Sequence, residues 1–292
     1  KNVTIVIAIL SALVIIDMWT IDKRYLNDSN FTTKAKIKVP FTPTEADLMI
    51  LQDKEPDYRV YNLTVNPFQD ASTSYFHNSI GGYCAVKMKR YQELIEKQIS
   101  KQNMNVINML NTRYFITADS VGNPVARRNP NALGNAWFVD KYKLVANADS
   151  ELNALSNFDP SVTAIIDKRF ESTVSNYKNT KDTTATIKLI SYKPNNLLYQ
   201  SKTTKEQLAV FSEIYYNKGW NVYIDQKLTP YFRANYVLRA MKIPAGEHVI
   251  EWKFEPAVFY TGQKVSLTFN LLLIIVVIGS IFLEFRNKKP TI

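Results

Sequence analysis

Two apolar stretches, one near each end of the chain, constrain its fold more than any other feature. Residues 3–16 contain no charged side chain, and residues 265–285 form a second stretch that is almost free of charge. A helix rises about 1.5 Å per residue, so roughly 20 apolar residues are enough to cross the hydrocarbon core of a bilayer. We therefore predict two transmembrane helices, at residues 2–21 and 265–285.

Each stretch has an alternative interpretation. A signal peptide would need a small-residue cleavage site after the first stretch, but Asp17, Met18 and Trp19 follow instead, and Trp19 suits a membrane interface. The chain begins on Lys1 rather than methionine, so we expect it to be the C-terminal piece of a longer protein. The second stretch could be a buried core helix, but its length and its basic flank favour a span.

The charges beside the second stretch predict an orientation. Arg286, Lys288 and Lys289 follow it directly, and the positive-inside rule then places a tail of residues 286–292 in the cytoplasm. Two spans return the chain to the same side, so the intervening region faces outward. Lys23 and Arg24 argue mildly against this orientation, although long domains cross a membrane largely regardless of charge.

Composition excludes several classes of protein. The chain is 46% hydrophobic and 21% charged, which is typical of a folded domain, and its single cysteine rules out an internal disulfide. A net charge of +10 favours an anionic partner, either lipid headgroups or an acidic envelope polymer. We find no nucleic-acid-binding motif and therefore expect no nucleic-acid partner. His77 and His248 fall in different modules, so we predict neither a metal site nor a cofactor.

The region between the spans divides into three parts. Residues 22–43 form a juxtamembrane tether in which lysines alternate at positions 34, 36 and 38; this face either touches anionic lipid or is a solvated connector. Residues 44–157 mix helical and strand periodicity, with Tyr91, Leu94 and Ile95 on one side of a helix predicted over residues 88–100. We predict a small α+β module here, in which residues 136–145 form one strand.

Residues 158–260 contain seven or eight short strands at regular spacing, which is typical of an antiparallel β-sandwich, here predicted to be jelly-roll-like. Their clearest pattern lies near the end, where Ile250, Trp252 and Phe254 share one face of a strand. A short turn at residues 244–247 joins this strand to the preceding one. The overall fold class is α+β, with two transmembrane helices flanking both modules.

No catalytic residue can be identified, because the aspartates cannot be paired from sequence. The best candidates for binding are aromatic and basic side chains that could stack on sugar rings and bridge their hydroxyl groups. They are Tyr215, Tyr216, Trp220, Tyr223, Arg233 and Tyr236. The alternative is that Trp220 and alternate tyrosines fill the core of the sandwich.

Several segments resemble one family. Residues 190–195, 211–220, 222–225, 233–236 and 243–248 are similar to the C-terminal ectodomain of YfhO-type bacterial membrane proteins, and residues 17–26 and 108–114 extend the resemblance upstream. One departure is the turn Asp225-Gln226-Lys227, where the family favours Asp-Gly-Lys. Because glycine relieves a positive φ, we expect a longer turn or one of another type.

The resemblance implies a multi-pass protein of the bacterial cytoplasmic membrane with glycosyltransferase-C-like architecture, which glycosylates cell-envelope polymers from a lipid-linked sugar. Its catalytic acid is expected in an early extracytoplasmic loop, and we assign no residue of this chain to that role. We therefore expect an accessory region that positions the acceptor polymer. The alternatives are a glycan-binding or structural scaffold without catalytic activity, and a hydrolase, which would need a carboxylate pair in a cleft.

Overall fold

The computed structural model describes residues 2–34, 37, 39–177 and 182–287. By internal contacts the chain forms two units, residues 1–44 and residues 45–292. The first unit contains the helix α1 (Asn2–Tyr25), whose side chains from Val3 onward are exposed, and a 3-10 turn that Asn27 caps. Of the alternating lysines predicted in the tether, Lys36 and Lys38 lie outside the described residues.

The second unit begins with short helices that pack around two small sheets. The helices are α2 (Glu45–Ile50), α3 (Ser72–Phe76), α4 (Lys89–Leu94), α5 (Met104–Met109), α6 (Ala148–Ala154) and α7 (Glu171–Val174). α4 continues into a π-helical turn (Ile95–Ile99), so the helix predicted over residues 88–100 exists with a local irregularity. Leu94 and Ile95 are buried as the spacing predicted, and Tyr91 is half-buried.

The two small sheets contain parallel pairs. One sheet is formed by β1 (Arg59–Asn62), β2 (Thr112–Ala118) and β3 (Pro124–Arg128), and the other by β5 (Lys141–Val145) and β6 (Thr163–Asp167). β1 is parallel to β2 and β5 is parallel to β6, whereas β2 and β3 are antiparallel.

Two larger antiparallel sheets face each other and confirm the predicted sandwich of antiparallel strands. Their strands are β4 (Ala136–Val139), β7 (Thr186–Lys193), β8 (Asn196–Thr203), β9 (Gln207–Ile214), β10 (Trp220–Ile224), β11 (Lys227–Thr229), β12 (Phe232–Ala234), β13 (Leu238–Ile243) and β14 (Gly246–Phe254). One sheet has the order β11-β10-β14-β8-β7 and the other β12-β13-β9-β4.

The core between these sheets follows the alternation of their strands. Ile250 and Trp252 on β14 are fully buried and pack with Tyr199, Phe211 and Val222 from neighbouring and facing strands. Phe211 and Trp252 meet edge to face, with ring centroids 5.2 Å apart. Burial of one aromatic side chain removes roughly 150–250 Å² from water, which at roughly 25 cal/mol per Å² stabilises the fold by about 4–6 kcal/mol.

The four-stranded sheet is covered on both of its faces. Leu208 and Val210 on β9 point away from the sandwich core and pack with residues of α4, α6 and β6, including Leu94, Leu152 and Ile165. The unit therefore has three layers, with the four-stranded sheet in the middle. Because both faces of β9 are buried, most of its side chains are inaccessible, as expected of a central strand.

β4 belongs to this central sheet although it precedes residue 157, since Ala136 to Val139 pair antiparallel with β9. The sequence suggested one strand over residues 136–145. The chain instead breaks at Asp140 and passes from the central sheet to the pair β5–β6. The division of the chain near residue 157 stays a prediction, and the central sheet takes strands from both sides of it.

The last element, α8 (Ala257–Asn287), is separated from the end of β14 by two residues. Residues 3–25 and 257–286 are both long and apolar enough to cross a membrane, with mean hydropathies of 2.3 and 2.5, and neither apolar window is buried in the protein. Two candidate spanning helices therefore flank the mixed α and β region, as predicted. α8 begins eight residues before the predicted span at residue 265.

Candidate functional site

The six side chains predicted to bind carbohydrate differ in how deeply they are buried and in what they contact. Tyr223 points outward from β10, where its hydroxyl donates to the Glu255 carboxylate at 2.9 Å and the Lys253 ammonium lies 5.1 Å from its ring. Tyr216 lies on the preceding loop and is 43% exposed. These two tyrosines remain accessible to a ligand.

Trp220 lies at the inner edge of the sandwich. Its ring is half-buried and packs against Phe254, with centroids 5.3 Å apart. The buried guanidinium of Arg239 lies 4.1 Å from the Trp220 centroid and 5.0 Å from that of Trp252, a favourable arrangement for a cation and an aromatic face. Trp220 therefore contributes to packing at the end of the sandwich.

Arg233 and Tyr236 belong to a buried polar network. The Arg233 Nη2 atom is 3.2 Å from Glu151 Oε2 and 3.5 Å from Asp167 Oδ2, and all three side chains are buried. The backbone N–H of Tyr236 donates to Glu151 Oε1 at 3.0 Å, and the Tyr236 hydroxyl donates to Glu93. Tyr215 is half-buried, with the Arg233 guanidinium 5.8 Å from its ring.

Burial dominates the ionisation of this network. It raises the pKa of Glu151, and the opposing attraction of Arg233 and the hydrogen bond from Tyr236 reduce the effect without reversing it. Burial, followed by the hydrogen bond to Glu93, also raises the pKa of Tyr236. A role in carbohydrate contact stays a prediction for the six residues; the structure does not gather them on one surface.

A groove lies at the end of the sandwich opposite α8. It has a volume of about 770 Å³ and lies among the turn after β10, the turn before β14 and the start of α7. Ile224, Leu228, Pro230 and Pro244 supply an apolar wall. Three side chains that can carry positive charge also line it, and they are Lys227, Lys242 and His248.

The turn between β10 and β11 shapes this groove. Asp225 and Gln226 have φ values of 48° and 69°, and Ile224 pairs with Lys227, so a two-residue turn connects the strands. The expectation of a longer turn or one of another type was wrong, because a two-residue turn with both φ values positive is the usual form for Asp-Gly. A non-glycine residue costs more in this conformation, and the contacts of Asp225 offset part of that cost.

Asp225 joins the two turns at the rim of the groove. Its carboxylate accepts from His248 Nδ1 at 2.6 Å and from the backbone N–H of Val249 at 2.9 Å. His248 Nε2 lies 3.2 Å from the carbonyl oxygen of Ala245. The His248 ring and then the Val249 N–H hold the pKa of Asp225 below its ordinary value, so this carboxylate is ionised at neutral pH.

Within the described residues, no group of three or more histidine, cysteine, aspartate or glutamate side chains could hold a metal ion. His77 instead pairs with Asp47 at 2.9 Å. Neither Lys227 nor Lys242 forms an ion pair with a described residue, so both can meet an anionic ligand. The chemistry that the groove offers is therefore binding, through lysine charge, hydrogen bonds and an apolar wall.

Sequence reasoning did not find this groove. Its lysines lie 15 positions apart, and the chain carries 36 lysine and arginine residues in all, so no local pattern singles them out. The one available signal was His248, which shares the inward face of Ile250 and Trp252 and yet is polar.

Comparison with models of known protein families finds a match over most of the chain. The model of the family described as bacterial membrane protein YfhO matches residues 18–266, which extend from the end of α1 through the layered unit into α8. No curated protein and no solved structure matched the chain. The family match covers most of the sequence and includes every strand of the sandwich. The chain therefore belongs to the family of the bacterial membrane protein YfhO.

Proposed function

We propose that this chain is the extracytoplasmic accessory portion of a glycosyltransferase-like membrane protein, and that it positions an acidic cell-envelope glycopolymer as the acceptor. The observation that carries the proposal is the groove of about 770 Å³, lined by Lys227 and Lys242, in a domain bracketed by two candidate spans. A polymer is a suitable ligand because an open groove on a sheet end accepts a chain that continues on both sides.

The composition of the groove favours an anionic polymer with hydroxyl groups. Lys227 and Lys242 attract phosphate or carboxylate groups as point charges. The Thr229 hydroxyl donates to the Lys227 carbonyl at 2.9 Å and can accept a hydrogen bond from a sugar or polyol. Leu228 is 61% exposed and offers apolar contact to the carbon-bound hydrogens of the same chain. Asp225 and Glu206 also line the groove; Asp225 is already engaged by His248 and Val249.

The position of the groove fits an acceptor-holding role. β14 extends from the groove to the start of α8, and its nine residues cover about 30 Å. A polymer in the groove is then held away from the bilayer, while a lipid-linked sugar donor stays at the membrane surface. In this proposal the layered unit faces the outside of the bacterial cytoplasmic membrane, and the basic end of α8, which includes Arg286, lies in the cytoplasm.

Binding of a model polymer tests the proposal. The chain is reconstituted in nanodiscs and titrated with a fluorescent poly(glycerol phosphate) oligomer, with the variant K227E/K242E beside wild type. The control K141E/K143E makes the same change of charge on exposed lysines of β5, outside the groove. We expect about tenfold weaker binding for the groove variant and less than about twofold for the control. Equal losses in both variants would mean that the groove is not the binding site.

The same titration distinguishes the proposal from the scaffold and glycan-binding alternatives. A scaffold without a glycan ligand predicts no measurable binding by wild type at moderate ionic strength. A glycan-binding module without catalytic activity predicts groove-dependent binding, but no sugar transfer by the full-length protein.

A further inference from the structure

The end of the five-stranded sheet next to α8 gathers three segments of the chain. β10 starts there, because Trp220 pairs with Phe254, and so the loop that precedes β10 projects from this end. The turn between β7 and β8 lies beside it, because Lys193 pairs with Asn196, and Asn196 pairs with Lys253. Both loops therefore flank the point where the chain leaves the sandwich for the candidate span.

Hydrogen bonds join these segments to the start of α8. The Glu255 carboxylate accepts from Asn221 Nδ2 at 2.8 Å and from the Tyr223 hydroxyl at 2.9 Å, while its backbone N–H donates to the Gly219 carbonyl at 2.6 Å. The Phe254 N–H donates to the carbonyl of Asn195 at 2.9 Å. The connection between β14 and α8 is thus held by both loops.

Gly219 allows this close approach. Its φ is 110°, and a Cβ at this position would lie 2.9 Å from the Phe254 ring and 2.9 Å from Pro256. Only glycine adopts this φ without strain and also leaves room for Phe254 and Pro256, which precede the first residue of α8. The loop of residues 216–219 is therefore packed against the connection to α8.

The charge pattern of α8 places this end of the sandwich near the bilayer surface. Residues 265–283 have no charged side chain and cover about 28 Å, close to the thickness of the hydrocarbon core. Residues 257–264 then add about 12 Å of helix outside the core, whereas the headgroup layer is roughly 5–8 Å thick. Loops that project beside the N-terminal end of α8 are within reach of the headgroups.

The side chains on these loops suit such a surface. Tyr216 is 43% exposed, and Lys193 and Lys218 are exposed at the same end of the sheet. Tyrosine and lysine are typical of membrane interfaces, where the ring lies among the headgroups and the ammonium meets lipid phosphate. Phe259 and Tyr260 on the first turn of α8 are also exposed and add aromatic side chains at the same level.

We propose that residues 193–195 and 216–219, here named the root surface, contact the anionic headgroups of the bilayer that α8 crosses. The ligand class is the lipid phosphate of an anionic phospholipid. This contact would fix the tilt of the layered unit on the membrane and hold the opposite end, with its groove, at a constant height. The proposal does not depend on what the groove binds.

Spin labels placed beside the lysines test the root surface. Cys84 is exposed and is replaced by serine, after which N195C, N217C and the control K205C are made singly and labelled. Lys205 lies on the exposed turn between β8 and β9, at the end of the sheet away from α8. Collision rates with a water-soluble nickel reagent are measured in nanodiscs of phosphatidylcholine and of phosphatidylcholine mixed with phosphatidylglycerol.

We expect the labels at positions 195 and 217 to be protected at least about twofold more in the nanodiscs that contain phosphatidylglycerol, and the label at position 205 to be equally accessible in both. The variant K193E/K218E should remove the added protection. Equal accessibility of all three labels, or protection that is the same in both lipids, would overturn the proposal.

Discussion

Arg233 and Glu151 form a buried ion pair between two layers of the protein, with 3.2 Å between Arg233 Nη2 and Glu151 Oε2. Arg233 lies on β12 of the central sheet, and Glu151 lies on α6 of the layer that covers it. Arg90 Nη1 approaches the same carboxylate oxygen at 3.4 Å, and Asp167 lies beside Arg233. The network joins segments that are far apart in sequence.

Removing one partner of this pair should be costly. The variant R233A removes the guanidinium nearest to the buried Glu151 carboxylate, which keeps only Arg90 at 3.4 Å, while Asp167 keeps Arg169 at 3.0 Å. We therefore expect the free energy of unfolding to fall by about 3 kcal/mol, the lower end of the range for a broken buried pair. Urea denaturation of the reconstituted chain measures this loss. K202A, which removes the exposed partner of Glu247, is the matched control and should cost less than about 1 kcal/mol. A loss below about 1 kcal/mol in R233A would contradict this account of the layer contact.

Glu213 should make stability depend on pH near neutrality. Burial, and then the neighbouring Asp57, raises the pKa of Glu213 from 4.5 to about 7, despite the opposing Arg239 and Arg59. Between these two values the folded state binds more protons than the unfolded state, so the free energy of unfolding falls as pH rises from about 4.5 to 7.

E213Q removes this titration. From the two pKa values of Glu213, the difference in unfolding free energy between wild type and E213Q should change by about 1–3 kcal/mol between pH 5 and pH 8. Wild type should be relatively more stable at pH 5. Denaturant titrations across this range measure the difference. A constant difference would show that the Glu213 carboxyl does not titrate differently in the folded state.

Gly219 should be far less tolerant of alanine than another glycine of similar conformation. G219A places a Cβ 2.9 Å from Phe254 and Pro256, whereas Gly122 also has a positive φ but no atom within 4 Å of the added group. We expect G122A to cost about 1 kcal/mol from backbone strain and G219A to cost at least about 2 kcal/mol. Thermal unfolding compares the two variants, and equal losses would mean that the contact with the root of α8 relaxes freely.

Local sequence patterns predicted the strands that bury one face and the helices that are apolar throughout. The alternation of Ile250 and Trp252 identified a strand with one buried face, and the apolar ends of the chain identified two candidate spans. Such patterns report whether a residue is buried, but not which element covers it. The central sheet is covered on both sides, so the single strand suggested over residues 136–145 concealed a change of sheet at Asp140.

The candidate sites depended on contacts between distant parts of the chain. Arg233 was predicted to bridge sugar hydroxyls. Its hydrogen bond to Glu151, which lies 82 positions earlier in the chain, is buried in the interior. The groove needs the turn at Asp225 and the turn at Pro244 to meet, which only the pairing of β10 with β14 brings about. Neither relationship has a signature in a single sequence.

Sugar transfer by the full-length protein is the measurement that tests the central proposal most directly. Incorporation of sugar into the acceptor polymer is followed in membranes that contain wild type, K227E/K242E or K141E/K143E, at limiting and at saturating polymer. We predict that K227E/K242E incorporates sugar at least about fivefold more slowly than wild type at limiting polymer. Because the groove supplies binding, the rate should recover most of the difference at saturating polymer, and K141E/K143E should match wild type at both concentrations. Incorporation by K227E/K242E equal to that of wild type at limiting polymer would contradict the proposal that the groove positions the acceptor.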